Sequence, residues 1–202
     1  MSVVDRTGAL AQITDRKLDI GCGPRKIDSG HVGVDRIEYP GVDIVGDIRD
    51  VLAQIPDGVL GGAYCSHFLE HVDDVPGLID ELARTLRAGA ELVIVVPHFS
   101  NPYCYSDPTH ETAFGLYSFS YLAQDGIYRR QVPAYVRDER FGLRSAKLGF
   151  KSEPPFYGRY VFKRVVGMLV NLTRWSQEFY EENLCYLVPC YEVRFRLVRR
   201  AD

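Results

Sequence analysis

Two groups of residues in this 202-residue chain carry side chains that can do chemistry. The first is a series of glycines and acids: Asp19, Gly21 and Gly23, then Asp35 beside Arg36, then Asp47 beside Ile48. Glycine adopts left-handed backbone angles and has no Cβ, so Gly21-Cys22-Gly23 lets the main chain turn sharply and lets a ligand approach it. A carboxylate has paired acceptor oxygens, so Asp35 suits two neighbouring hydroxyls. The second group is rich in histidine: Ser66, His67, Glu70 and His71 in one run, then His98, Asp107 and His110. Histidine is the usual proton acceptor near neutral pH, which makes His98 and His110 candidate general bases. Asp107 would orient a ring or hold a cation, or else cap the helix expected to follow it. His67 and His71 also have the spacing that puts two metal ligands on one helix face. The preferred reading is that this run lines a pocket and opens a helix, with no metal.

The elements that must position these groups follow from hydrophobic patterning. Short apolar runs at Lys17–Ile20, His31–Asp35, Val42–Asp47, Gly62–Ser66 and Glu91–Val96 read as strands, the last closed by Pro97. Residues 75–86 repeat apolar side chains at helical spacing, with Gly89 as the expected stop. Asp50–Ile55 reads as a short helix, and Val3–Ile13 as a short helix or a loose lead-in. Arg25–Gly30 is too short and polar for a full helix. Strands alternating with helices or turns predict an α/β fold built on a doubly wound, mostly parallel sheet. Ligands in such sheets bind beyond the C-terminal strand ends, and Gly21, Asp35, Asp47, Ser66 and His98 all fall at or just after such ends. The aromatic-rich stretch His98–Arg137 departs from the alternation and is expected to be a lid inserted after the fifth strand. Phe141–Leu148 reads as a helix, Phe150–Glu153 as the sixth strand, and Phe162–Glu182 as one long helix packed on the sheet. Glu192–Val198 alternates apolar and basic residues, which suits a final antiparallel strand.

Composition bounds the function. Net charge is −3 and the sequence pI is about 6.0, so no basic field invites nucleic acid. Five scattered cysteines without a Cys-x-x-Cys pair suit reduced thiols, hence a cytoplasmic protein. No run is apolar enough for a signal peptide or a membrane span. The expectation is one domain over residues 1–202, with 98–137 as its insertion. Arg129, Arg130, Arg137, Arg140 and Arg144 read as a solvated face or a receptor for phosphate or an acidic sugar.

Leu18-Asp19-Ile20-Gly21-Cys22-Gly23 resembles the first motif of class I S-adenosylmethionine (SAM)-dependent methyltransferases, Asp/Glu-x-Gly-x-Gly. Arg25 stands where a dinucleotide fingerprint has its third glycine. Ser66–Val72 resembles the His-x-Leu-Glu-His element of one branch of that superfamily. Pro97-His98-Phe99-Ser100 and Asp107-Pro108-Thr109-His110 resemble a pattern of small bacterial methyltransferases of polysaccharide and cell-surface glycan pathways. The resemblance implies a Rossmann-like fold and SAM as cofactor. It implies a SAM site made of Asp19, Gly21, Gly23, Asp35, Arg36, Asp47, Ile48, Ser66 and His67. It also implies a saccharide or other small-molecule acceptor, methylated at a hydroxyl, and it allows a homodimer. The alternatives are a methyltransferase of another small metabolite, such as a phenol or amine, and a SAM-binding subunit without turnover.

Overall fold

The computed structural model of the protein describes residues 2–124, 126–133, 138–152 and 155–201. Nine strands among these residues form one sheet. In chain order they are β1 (Val4–Asp5), β2 (Lys17–Ile20), β3 (His31–Asp35), β4 (Ile44–Val45), β5 (Leu60–Ser66), β6 (Leu86–Pro97), β7 (Ala123–Gln124), β8 (Asp138–Gly149) and β9 (Glu192–Arg199). Their spatial order is β1-β4-β3-β2-β5-β6-β9-β8-β7. Strands β4, β3, β2, β5 and β6 run parallel. Strand β9 lies antiparallel between β6 and β8. The chain goes from β2 out to β3 and β4 on one side and returns to β5 on the other, so the strand order switches at β2. That is where a sheet of this kind opens a crevice at its C-terminal edge.

The local sequence explains the central elements. Leu92, Ile94 and Val96 share one face of β6 and are fully buried, and Val95 on the opposite face is buried too, as expected for a central strand. On β9, Val193, Phe195 and Leu197 are buried while Arg194 and Arg196 are exposed. Its register runs from Glu91↔Val198 to Pro97↔Glu192. Helix α2 (Val75–Thr85) starts at Asp74, whose side chain accepts from the Gly77 amide, and buries Leu78, Ile79, Leu82 and Ala83. Each such side chain contributes on the order of 1.5–3 kcal/mol of burial free energy, less for alanine. The preceding short helix, α1 (Ile48–Leu52), is capped by Asp47. No helix forms between β2 and β3.

Several expectations are corrected. Phe141–Leu148 belongs to strand β8, because Phe141, Leu143, Ala146 and Leu148 all turn inward across a register shift between Leu143 and Ser145. That shift turns a two-residue period into an irregular one. Residues 150–152 form no strand, and Glu153 lies outside the described residues. The long helix is two helices, α4 (Tyr157–Val170) and α5 (Arg174–Asn183), with α3 (Pro102–Ser106) lying earlier in the insertion. The break has two causes. Asn171 turns its side chain back onto the Leu148 backbone, and Thr173 forms a capping box with Ser176. Most of the apolar stripe does not pack on the sheet: Val165, Leu169, Leu172 and Trp175 are 44–71% exposed, while Val166 lies against the core. Residues 3–13 divide into β1 and a single 3-10 turn, Leu10–Gln12. Strand β4 is confined to Ile44–Val45. Helix α2 ends at Thr85, and Gly89, at φ +80°, lies within β6.

The aromatic insertion is mostly core. Phe114, Tyr117 and Phe119 are buried, and the Phe119 ring lies 4.6 Å from that of Phe195. Tyr103 and Tyr105 on α3 stay exposed. Residues 125 and 134–137 of this stretch, Arg137 among them, lie outside the described residues. Among the described residues no helix is long and apolar enough to cross a membrane.

Candidate functional site

The glycine turn stands at the C-terminal end of β2. The Gly21 amide donates to the Val34 carbonyl at 2.9 Å, and Gly21 has φ +65°. A Cβ there would sit 2.5 Å from the Phe68 ring. Gly23, at φ +55°, has open space where a Cβ would stand, so its constraint is backbone conformation alone. With no helix to order the loop, carboxylates do so. Asp35 Oδ2 accepts from the Gly23 amide at 2.8 Å and its Oδ1 from the Ile37 amide at 2.9 Å. Asp19 is buried and accepts from the Ile27 amide at 2.7 Å. Burial pushes the Asp19 carboxyl up, against the opposing pull of that amide and of His31 and Lys26. Lys26 pairs with Asp43 at 2.7 Å, and Asp43 also accepts from the Gly33 amide.

Beside the turn lies a cleft of about 380 Å³, at the C-terminal ends of β2 and β3 and the start of α1. Gly21, Asp35, Arg36, Asp47 and Ile48 line it, as the sequence anticipated. Asp19, Gly23, Ser66 and His67 do not; the first two brace the loop from behind. Reasoning from sequence missed Ile37 and Arg49 in the lining, and within the Ser66–Val72 run, expected to line a pocket, the lining residues are Phe68, His71 and Val72 and not His67. The strand-end rule that selected Ser66 reaches Phe68 two residues later. Arg36 and Asp47 form an ion pair. Burial pushes the Asp47 carboxyl up, but the Arg49 amide and Arg36 outweigh it and hold the group below its usual value. Arg49 reaches across to Asp74 at 3.3 Å, tying α1 to the cap of α2.

The histidines have separate roles. His67 has φ +53°, a costly conformation for a residue with a Cβ. Its ring lies between Glu70 (3.4 Å) and Glu192 (3.5 Å). Hydrogen bonds to Glu192 and Glu70 raise its pKa to about 9 against the effect of burial. His98 corrects an expectation: it is fully buried and does not face the cleft. The Ser100 amide donates to its Nδ1 at 3.0 Å, and its Nε2 pairs with Glu181 at 2.8 Å. With both nitrogens committed inside the core, it has no access to an acceptor. Asp107 accepts from the amide and hydroxyl of Thr109, at 2.9 and 2.6 Å, and shapes a turn; no helix follows it. His110 Nδ1 donates to the Cys104 carbonyl at 2.8 Å, and the Glu111 amide donates to the Glu70 carbonyl at 2.7 Å. The 107–111 turn is thereby held against Glu70 and His71, at the border of the cleft.

Residues 2–135 match a family model described as a methyltransferase domain. No curated protein matches the chain. Among solved structures, the chain is similar to a SAM-dependent methyltransferase from Archaeoglobus fulgidus, at 19% identity and a TM-score of 0.59, covering 96% of this chain and 94% of that one. It is similar to a S-adenosylmethionine-dependent methyltransferase from Mesorhizobium loti, at 16% identity and a TM-score of 0.52, covering 97% and 98%. It is also similar to phosphoethanolamine N-methyltransferase 2 of Haemonchus contortus in complex with S-adenosyl-L-methionine, at 13% identity and a TM-score of 0.52, covering 97% of this chain and 53% of that one. At such identities the likeness is one of fold.

Proposed function

The chain belongs to the methyltransferase-domain family, and from that premise we propose that it binds SAM in the Gly21 cleft and methylates a hydroxyl of a sugar or glycan intermediate. The observation that carries the cofactor half is the placement of Asp35 beside the Gly21 turn at the switch in strand order. The residues fit the group. Gly21 and Phe68 both line the cleft, and the absence of a Cβ on Gly21 lets the Phe68 ring pack directly against the turn. Bound there, SAM supplies an electrophilic methyl group on a sulfonium.

The chain's own side chains do the rest. Asp35 keeps lone pairs beyond those used by the two loop amides, and these accept the ribose hydroxyls. Val34, Ile37 and Ile48 cover the adenine, with Asp47 as acceptor for its amino group. Phe68 offers a ring to the sulfonium. Alignment of donor and acceptor supplies most of the acceleration. The acceptor hydroxyl meets the polar cluster of His71, Asp107, Thr109 and His110, where a nitrogen or carboxylate receives its proton as the C–O bond forms. The resemblance of residues 97–100 and 107–110 to bacterial glycan methyltransferases supports the sugar assignment, with His98 serving as a buried link to Glu181 and not as the base. The test is calorimetry with SAM and S-adenosylhomocysteine, then methyl transfer to free, methylated and nucleotide-linked sugars. One binding site and sugar turnover are expected. Absence of heat at millimolar ligand would overturn the reading, and turnover of phenols or amines alone would overturn its acceptor half.

A further inference from the structure

We propose that Glu70, His71 and His110 form a binding site for a first-row divalent metal ion, zinc being the reference, at the border of the cleft. One ligand atom from each of the three lies within 4.8 Å of the other two. Three further observations point to an ion.

The first is Glu70. Its side chain is 1% exposed, Oε1 is taken by His67 at 3.4 Å, and the buried Oε2 has no hydrogen-bond partner among the described residues. A buried carboxylate oxygen without a partner is a costly arrangement, which a cation relieves.

The second is the state of the two imidazoles. His71 Nδ1 lies 3.2 Å from the Thr109 carbonyl and 3.0 Å from the Thr109 hydroxyl, whose own proton goes to Asp107, and His110 Nδ1 lies 2.8 Å from the Cys104 carbonyl. A carbonyl only accepts, so each Nδ1 carries the hydrogen and each Nε2 keeps a lone pair. Fixing the tautomer of a ligating histidine through a backbone carbonyl is how proteins prepare such rings for metal.

The third is connection. The His71 and His110 rings meet edge-to-face with centroids 4.8 Å apart. The Glu111 and Thr112 amides both donate to the Glu70 carbonyl, which fastens the two segments together. Asp107 adds a carboxylate oxygen 3.8 Å from His110 Nε2. Two imidazole nitrogens with one or two carboxylate oxygens suit zinc or its first-row neighbours rather than magnesium or calcium.

His71 also lines the cleft, so an ion here stands where the acceptor hydroxyl is proposed to lie. That role rests on the proposed function, but the binding itself does not. The experiment uses the full chain, stripped with a chelator, without SAM. Zinc is titrated against a chromophoric competitor, and cobalt is followed by its visible spectrum. One equivalent should bind, with nitrogen–oxygen cobalt bands and no thiolate charge-transfer band. His110→Ala and Glu70→Gln should each weaken zinc by about tenfold or more, while His31→Ala, distant on β3, should leave affinity unchanged. Should Glu70→Gln fail to fold, His110→Ala carries the comparison. No binding at millimolar zinc, full affinity in His110→Ala, or thiolate bands from the cysteines would overturn the proposal. A separate SAM calorimetry run distinguishes the two readings: zinc bound without SAM refutes the function alone, and SAM bound without zinc refutes the site alone.

Discussion

His98 Nε2 lies 2.8 Å from Glu181 Oε2, a contact spanning 83 positions of the chain. The other Glu181 oxygen accepts from the Leu116 amide at 2.8 Å. The pair therefore joins the end of β6, helix α5 and the aromatic insertion. It is a buried polar link whose removal leaves Glu181 Oε2 without its His98 partner.

His98→Ala is accordingly expected to destabilise the fold by about 1–3 kcal/mol or more, the cost of an orphaned buried group. SAM affinity of the folded variant should stay unchanged. Urea unfolding and calorimetry check this. Intact stability with lost turnover would restore His98 as a base.

At Gly21 the obstacle to a side chain is the Phe68 ring. Gly21→Ala should lose most SAM affinity, and Gly21→Ala with Phe68→Ala should recover part of it if the clash dominates. Gly23→Ala should cost only the left-handed backbone penalty of about 1–2 kcal/mol, because nothing lies within 4 Å of where its Cβ would stand. Equal losses at the two glycines would contradict the geometry.

Asp35 both orders the loop and faces the cleft. Asp35→Ala removes the acceptor of the Gly23 and Ile37 amides, so affinity for S-adenosylhomocysteine should fall steeply. Asp35→Asn keeps one carbonyl acceptor and should lose less. Titration of the three proteins by calorimetry checks the order.

His67, raised to about 9, makes stability depend on pH. A raised pKa means the folded state favours the protonated ring. Its contribution is full below the unfolded value of roughly 6.5 and disappears as pH rises through about 9. Glu192 adds the opposite limb: although burial pushes it up, His67 and Lys151 pull it below its usual value. Its contribution is lost as pH falls through the acid range. Thermal unfolding should therefore weaken on the alkaline side in the wild type, and His67→Gln should flatten that slope.

The sheet was legible where one pattern served one element. Leu92, Ile94 and Val96 announced β6, the alternation of Val193, Phe195 and Leu197 announced β9, and the α2 stripe gave its helix. The glycine turn and the acids at strand ends located the cleft because topology alone fixes that edge. Strand β8 escaped because the register shift after Leu143 broke its period. The α4–α5 break escaped because the apolar stripe continues past it while the stop lies in tertiary contacts of Asn171. His98 escaped for a similar reason: its partner Glu181 lies far along the chain, and no local pattern distinguishes a buried histidine from a reacting one.

All five cysteines are free and buried, and they are spread through the fold. Cys22 lies in the glycine loop, Cys65 on β5, Cys104 on α3, Cys185 after α5 and Cys190 before β9. Burial, with the nearby Asp19 and Asp35 charges, pushes the Cys22 thiol up to about 12, so it stays protonated and inert while folded. A thiol-reactive dye can then reach each sulfur only when its own surroundings open, at a rate set by that local fluctuation. The wild-type chain thus carries five reporters, and labelling followed by peptide mass mapping would time the opening of each region separately. Slower modification of Cys22 than of Cys185 on adding SAM would localise ligand-induced tightening to the loop, with no residue altered.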